Sequence, residues 1–144
     1  MRISETIFWH TCEADTQIVQ IDSITVEPHV VPTTGNLTLE WSGKTKGQIE
    51  GLKVQVQFMR RIIFWSKVLC PEHFNCEMTF CDFLGLDPSC SIAPNTTIYS
   101  KKSFDLKNAA RNSLFNAGDY SAKFLLFADD GRRVGCTQVF FRIY

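Results

Sequence analysis

In a β-strand successive side chains point to opposite faces, so a strand with one face on a core and one in water alternates apolar and polar residues. Two stretches of this chain obey that rule. Leu37, Leu39 and Trp41 oppose Asn36, Thr38, Glu40 and Ser42, while Leu52, Val54, Val56 and Phe58 oppose Lys53, Gln55 and Gln57. Other stretches are apolar in both directions. In 62–65, Ile62 and Phe64 oppose Ile63 and Trp65; in 120–128, Tyr120, Ala122, Phe124 and Leu126 oppose Leu125 and Phe127; in 134–144, Phe140 opposes Val139, Phe141 and Ile143. A two-sheet sandwich has one interior layer. The surplus apolar faces are therefore expected to line a cavity, form an interface or touch a membrane. The simpler use of twelve Phe in 144 residues is a bulky core.

Further strands are expected over 18–27, 62–69, 74–80 and 97–105, each bounded by Gly, Pro, Asn or Asp. Between 120–128 and 134–144, the run Ala128-Asp129-Asp130-Gly131 predicts a hairpin, its Asp-Gly step supplying the positive φ angles of a tight primed turn. Helix is expected only in short pieces, at Phe80–Leu86 and Leu106–Phe115. About seven or eight short strands separated by turns predict an all-β, antiparallel sandwich or barrel. With no linker or repeat, residues 1–144 read as a single domain with 1–11 as an N-terminal arm.

Cys12, Cys70, Cys76, Cys81, Cys90 and Cys136 make an even set, which points to disulfides in an oxidising compartment. Structural zinc sites favour Cys-x-x-Cys pairs, which are lacking here, so no metal site is expected. Short loops favour Cys70 with Cys76 and Cys81 with Cys90, leaving Cys12 for Cys136, although six cysteines permit 15 connectivities. Two sequons, Asn36-Leu37-Thr38 and Asn95-Thr96-Thr97, agree with that oxidising compartment. The first five residues lack the apolar stretch of a signal peptide, so the chain reads as a mature form.

Fifteen Lys and Arg balance fifteen Asp and Glu, which removes the basic footprint that nucleic-acid binding needs. No apolar run reaches the roughly 18–20 residues of a membrane-spanning helix. His10, His29 and His73 are scattered, Asp129 and Asp130 are explained by their turn, and no phosphate loop or nucleophile elbow is present. No catalytic set and no cofactor are expected.

One segment carries a surface signal. In Arg60-Arg61-Ile62-Ile63-Phe64-Trp65-Ser66-Lys67 an apolar tip is flanked by cations. Ile63, Phe64 and Trp65 are candidates for insertion at a lipid interface, with Arg60, Arg61 and Lys67 meeting anionic head groups. The alternative is an edge strand guarded by charge.

Seven stretches in order resemble the ML-domain lipid-recognition family, and within it the ganglioside-activator branch. They are Ser23-Ile24-Thr25-Val26-Glu27-Pro28, Gly35-Asn36-Leu37-Thr38-Leu39, Trp65-Ser66-Lys67-Val68-Leu69-Cys70, Phe80-Cys81-Asp82-Phe83-Leu84, Ile98-Tyr99-Ser100, Gly118-Asp119-Tyr120 and Gly131-Arg132-Arg133-Val134-Gly135-Cys136. The resemblance implies an immunoglobulin-like antiparallel sandwich opened into a β-cup, which gives the surplus apolar faces a cavity to line. On that footing Phe58, Ile62, Phe64, Phe80, Phe83, Leu84, Phe104, Phe124, Leu126 and Phe140 are the candidate cavity residues. Trp65 matches a rim tryptophan, Asn36 matches a glycosylated asparagine, and the family pattern supports the pairs Cys12–Cys136, Cys70–Cys76 and Cys81–Cys90. The expected activity is non-enzymatic: extraction and carriage of a glycosphingolipid or phospholipid at a peripheral membrane surface, with presentation to a glycoside hydrolase. The alternative is a protein-interaction module or lipid-sensing co-receptor subunit of the same fold. The branch has a longer loop with an extra cysteine pair where this chain runs from Asp87-Pro88-Ser89 directly into Cys90.

Overall fold

The computed structural model describes residues 8–12, 17–27, 36–61, 63–68, 70, 76–87, 89–105 and 118–143. The expected helix at Leu106–Phe115 and residue Ile62 lie outside them. Among the described residues are nine strands and one helical turn: β1 (Phe8–Thr11), β2 (Val19–Glu27), β3 (Asn36–Thr45), β4 (Lys53–Arg61), β5 (Trp65–Val68), β6 (Glu77–Thr79), α1 (Phe80–Phe83), β7 (Thr97–Asp105), β8 (Gly118–Phe127) and β9 (Arg133–Ile143). They form a six-stranded sheet, β1-β9-β8-β4-β5 with β6 also on β4, facing a three-stranded sheet, β2-β3-β7. Every strand pairing is antiparallel.

Alternation decides which residues meet between the sheets. Trp41 of β3 and Val54, Val56 and Phe58 of β4 are buried, as are Ile24, Ile98, Tyr120, Ala122 and Val139 on neighbouring strands. Register carries the inner face across the large sheet, since Val54, Val56 and Phe58 pair with Leu126, Phe124 and Ala122, and these with Gly135, Thr137 and Val139. Both clean alternations are longer strands than the pattern suggested, because β-pairing continues through Thr45 and Arg61 after the pattern decays.

Three expectations are corrected locally. Ile63 and Phe64 lie in no strand, although 62–69 was expected to be one: strand pairing stops at Arg61 with Trp65. The 128–132 connection is not a two-residue primed turn. Gly131 alone has positive φ, at 87°, its amide donates to the Ala128 carbonyl and the Ala128 amide to the Arg132 carbonyl, which is a three-residue loop with glycine in the left-handed position. The N-terminal arm is in part a strand, with Phe8–Thr11 paired to Phe140–Thr137. Its sequence, Phe-Trp-His-Thr, has no alternation to announce it.

Three disulfides complete the frame: Cys12–Cys136, Cys70–Cys76 and Cys81–Cys90. Cys12–Cys136 fastens the end of β1 to β9 and spans 124 residues of sequence. At one end of the sandwich the sheets are stitched together: the Ile18 amide donates to the Val134 carbonyl, the Lys46 amide to the Ile18 carbonyl, and Ile49 bridges Ile92. At the other end stand Glu27, Asn36, Asp105, Arg61, Trp65 and Gly118, where the strands enter and leave their longer connections.

Candidate functional site

Between the sheets lies an apolar cavity of about 50 Å³. Val19, Ile21, Ile24, Leu39 and Trp41 form its wall on the small sheet, and Val54, Phe124, Leu126, Thr137 and Val139 its wall on the large one. Phe80 and Phe83 close the side, and Gln17 contributes a polar edge. These two phenylalanines are held there by the short turn α1. Thr79 caps it by accepting from the Asp82 amide at 3.0 Å, and Gly85 at φ 78° ends it, its amide donating to the Asp82 carbonyl. The Cys81–Cys90 disulfide fixes the same turn. Trp41, Phe80, Phe83 and Phe124 form one aromatic cluster, with ring centroids 5.9–6.4 Å apart.

Of the candidate cavity residues, Phe80, Phe83, Phe124 and Leu126 line this space. Phe58 and Leu84 pack in or against the core without lining it. Ile62 and the side chain of Phe104 lie outside the described residues. Two candidates are misplaced by the sequence reading. Phe64 is 73% exposed at the tip of the β4–β5 loop, because it belongs to no strand. Phe140 faces outward: its register partners are Phe8 and Ser121, whereas Val139, one residue earlier, lines the cavity. A shift of one residue along a strand exchanges the faces.

Most of the lining was not singled out from sequence. Leu39 and Trp41 were visible as the apolar side of an alternating strand, but nothing in that pattern separates a cavity wall from solid core. Lys102 carries a subtler signal. It continues the inward series Ile98, Ser100 of β7, pairs with cavity-lining Leu39, and is half-buried. Its Nζ lies 4.9 Å from the Phe83 ring centroid and 3.5 Å from the Asp82 carbonyl oxygen. Burial lowers the Lys102 pKa from the ordinary lysine value, and the charge of Asp82 opposes that shift.

The outer face of the large sheet carries a second aromatic group. Phe140 lies 5.3 Å from Phe8, 5.6 Å from His10 and 5.8 Å from Trp65 between ring centroids, the last edge-to-face. Phe8 is 68% exposed and Trp65 half-buried. Beside them the loop tip holds Ile63, 86% exposed, and Phe64. Arg61 and Lys67 are exposed on this side, paired with Trp65 and Met59 respectively. Arg60 is not with them. It pairs with Tyr120, its guanidinium lies 5.8 Å from that ring's centroid, and it therefore belongs to the inner face. Nearby, Arg142 donates to both carboxylate oxygens of Asp119, at 2.6 and 3.2 Å, which holds the Asp119 pKa below its ordinary value. Of the two sequons, Asn95 is exposed in a turn at φ 62°, and Asn36 begins β3. No cluster of three or more His, Cys, Asp or Glu suited to a metal occurs among the described residues.

The profile of the ML domain family matches residues 6–143. The chain is 24% identical over 152 aligned residues to the ganglioside GM2 activator of Macaca fascicularis, covering 91% of this chain and 80% of the relative. The corresponding protein of Mus musculus is 22% identical, covering 91% and 78%. Among solved structures, a Niemann-Pick type C2 protein from the Japanese carpenter ant superposes with a TM-score of 0.64 at 10% identity, over 95% of this chain and 99% of that one. Chicken MD-1 complexed with lipid IVa superposes with a TM-score of 0.55 at 14% identity, over 99% and 94%. Both are likenesses of fold.

Proposed function

The chain belongs to the ML domain family, and from that premise we propose that it draws one acyl lipid out of a membrane and carries it between its two sheets. Lipid binding is the general role of the family, and its members are carriers without catalytic chemistry. The observation that supports this reading most directly is the cavity: two apolar walls from facing sheets, closed at the side by Phe80 and Phe83.

A water needs roughly 10–15 Å³ of such space, so the space of about 50 Å³ between these walls is small beside an acyl chain. Loading is proposed to widen it, and the structure offers an uneven resistance to that. One end is stitched by the backbone hydrogen bonds of Ile18 and by the Ile49–Ile92 bridge, while α1 fills the side of the gap with two ring side chains and no strand pairing to the small sheet. Displacing Phe80 and Phe83 widens the cavity without breaking a ladder. A methylene left in water after leaving the bilayer costs about 0.8 kcal/mol, so the widened cavity must cover the chain along its length to replace the bilayer contacts.

Ile63 and Phe64, with Trp65 behind them, are the proposed membrane contact, and Arg61 and Lys67 the proposed attraction to anionic head groups. The cargo is proposed to be a glycosphingolipid or phospholipid, with presentation to a glycoside hydrolase supported by the ganglioside activators among its relatives. Three disulfides, with no free cysteine among the described residues, support a secreted or lysosomal location, and the exposed Asn95 is a proposed glycan site.

A second reading, an interaction module, draws on the outer group of Phe8, Phe140 and Trp65. Native mass spectrometry of protein made in a eukaryotic host separates the two. A co-purified lipid, or uptake of a fluorescent phospholipid, is expected for the carrier; a protein that holds none and takes up none is a module.

A further inference from the structure

Two polar groups stand on the inner face of the small sheet where apolar ones would pack better. Trp41 is 7% exposed and lines the cavity, yet its buried indole N–H has no hydrogen-bond partner among the described residues. Buried donors are almost always paired, because an unpaired one loses its hydration and gains nothing. Lys102 sits diagonally across the β3–β7 pairing, since Trp41 pairs with Ser100 and Leu39 with Lys102. Its ammonium rests on the Phe83 ring, with the Asp82 carbonyl at 3.5 Å, the outer limit of a hydrogen bond. Burial works against its charge, so the ammonium is under-solvated as it stands.

β7 is the edge strand of the small sheet, and Lys102 and Phe83 meet across the gap that α1 fills. The cation thus lies beside the point where the cavity is closed by side chains alone. An oxyanion makes a shorter and stronger bond to an ammonium than a peptide carbonyl does. Resting on the carrier reading, we infer that the cavity selects acidic acyl lipids: the Lys102 ammonium receives the phosphate or carboxylate of the head group, and the Trp41 indole N–H the carbonyl oxygen of the acyl linkage. The tails then lie against Ile24, Val54 and Phe124.

The test equilibrates the full-length protein with mixed vesicles of phosphatidylglycerol and phosphatidylcholine of identical chains and reads the captured lipid by native mass spectrometry. A preference of about tenfold for phosphatidylglycerol is expected, kept by Lys102→Arg and lost in Lys102→Gln. Trp41→Phe is expected to lower capture of both ester lipids several-fold at an unchanged ratio, and to leave capture of the diether analogues, which lack the carbonyl, as it was in the unsubstituted protein. Equal capture of the two lipids by the unsubstituted protein, or a preference that survives Lys102→Gln, overturns this inference and leaves the carrier reading standing. Capture of neither lipid overturns both. Loss of the preference on adding inorganic phosphate assigns the Lys102 site to free anions and overturns its role in reading lipid; persistence of the preference supports that role. The melting temperature of each variant separates a folding defect, which lowers capture of both lipids, from a change in selectivity.

Discussion

Phe124 and Phe140 lie on adjacent strands of one sheet, and their surroundings are opposite. Phe124 faces inward among Trp41, Phe83 and Val139 at the cavity wall; Phe140 faces outward in a row with Phe8, His10 and Trp65 that solvent reaches. Both faces are aromatic, and only one has a second sheet over it. Strand composition alone therefore does not decide which aromatic side chains are core. What covers a face decides it, and the outer face is itself divided. Leu125, 3% exposed, pairs with Cys136 next to the Cys12–Cys136 disulfide, whereas Phe8 at the other end of β1 is 68% exposed.

The largest effect is expected from removing that disulfide, which ties β1 to the edge of the large sheet and so holds Phe8 and His10 in the outer row. Closing a loop of 124 residues stabilises by about 5 kcal/mol in the chain-entropy model, and Cys136 is 2% exposed. Cys12→Ser with Cys136→Ser should lower the denaturation midpoint more than opening either short loop, for which the model gives roughly 2–3 kcal/mol. Equal losses from all three double variants would mean that β1 is not tied down by this bond, and the division of the outer face would fall with it.

Next in size is the inner face. Phe80 is 2% exposed, so Phe80→Ala should cost about 3–5 kcal/mol in urea unfolding. A loss under about 1 kcal/mol would show that the α1 side of the cavity collapses to fill the space, and that the closed gap is softer than its packing indicates.

The outer face should respond in binding rather than stability. Phe64→Ala should change stability by no more than about 0.5 kcal/mol, since the ring has little packing to lose. Trp65→Ala should cost somewhat more, about 0.5–1.5 kcal/mol, because its ring meets the edge of Phe140. Both should weaken co-flotation with anionic liposomes, and added salt should weaken it further through Arg61 and Lys67, with a screening length of about 10 Å at 0.1 M. Unchanged flotation in both variants would remove the loop tip from the membrane contact.

Much of this division was legible in the sequence. Alternation in 36–42 and 52–58 located β3 and β4 and the inward side of each, and the Asp-Gly step located the β8–β9 turn. Loop length and the family pattern together favoured the three disulfides that the structure contains. The rest depended on pairing, which no local pattern carries. Phe64 looked like strand because Ile-Ile-Phe-Trp is apolar throughout, and only the pairing, which ends at Arg61 with Trp65, leaves it outside β4 and β5. Phe140 was a cavity candidate on the footing of the family resemblance, while Val139, smaller and less conspicuous, took that place by register. β1 is placed by its pairing with β9 and by the disulfide to Cys136, both distant in sequence.

The smallest expected effect concerns the ion pair that borders the outer aromatic row. Arg142 holds the Asp119 carboxylate by two hydrogen bonds and lowers its pKa from the ordinary 3.8. A carboxylate whose folded pKa is depressed adds stability above its unfolded pKa and loses that contribution as pH falls through the folded value. The contribution is therefore full at pH 7, still nearly full at about pH 5, and fades only in stronger acid. Because the pair is largely solvated, it should be worth no more than about 1 kcal/mol. Asp119→Asn should thus be slightly less stable at pH 5–7 and converge with the unsubstituted protein in acid well below pH 3.8. The same change leaves the Arg142 charge without its carboxylate beside Phe140 and Arg61, which should raise affinity for anionic vesicles at low salt. A stability difference that persists undiminished in strong acid would show that Asp119 acts through something other than its charge. If vesicle affinity then stayed unchanged as well, the outer face would be set apart by its exposed rings alone.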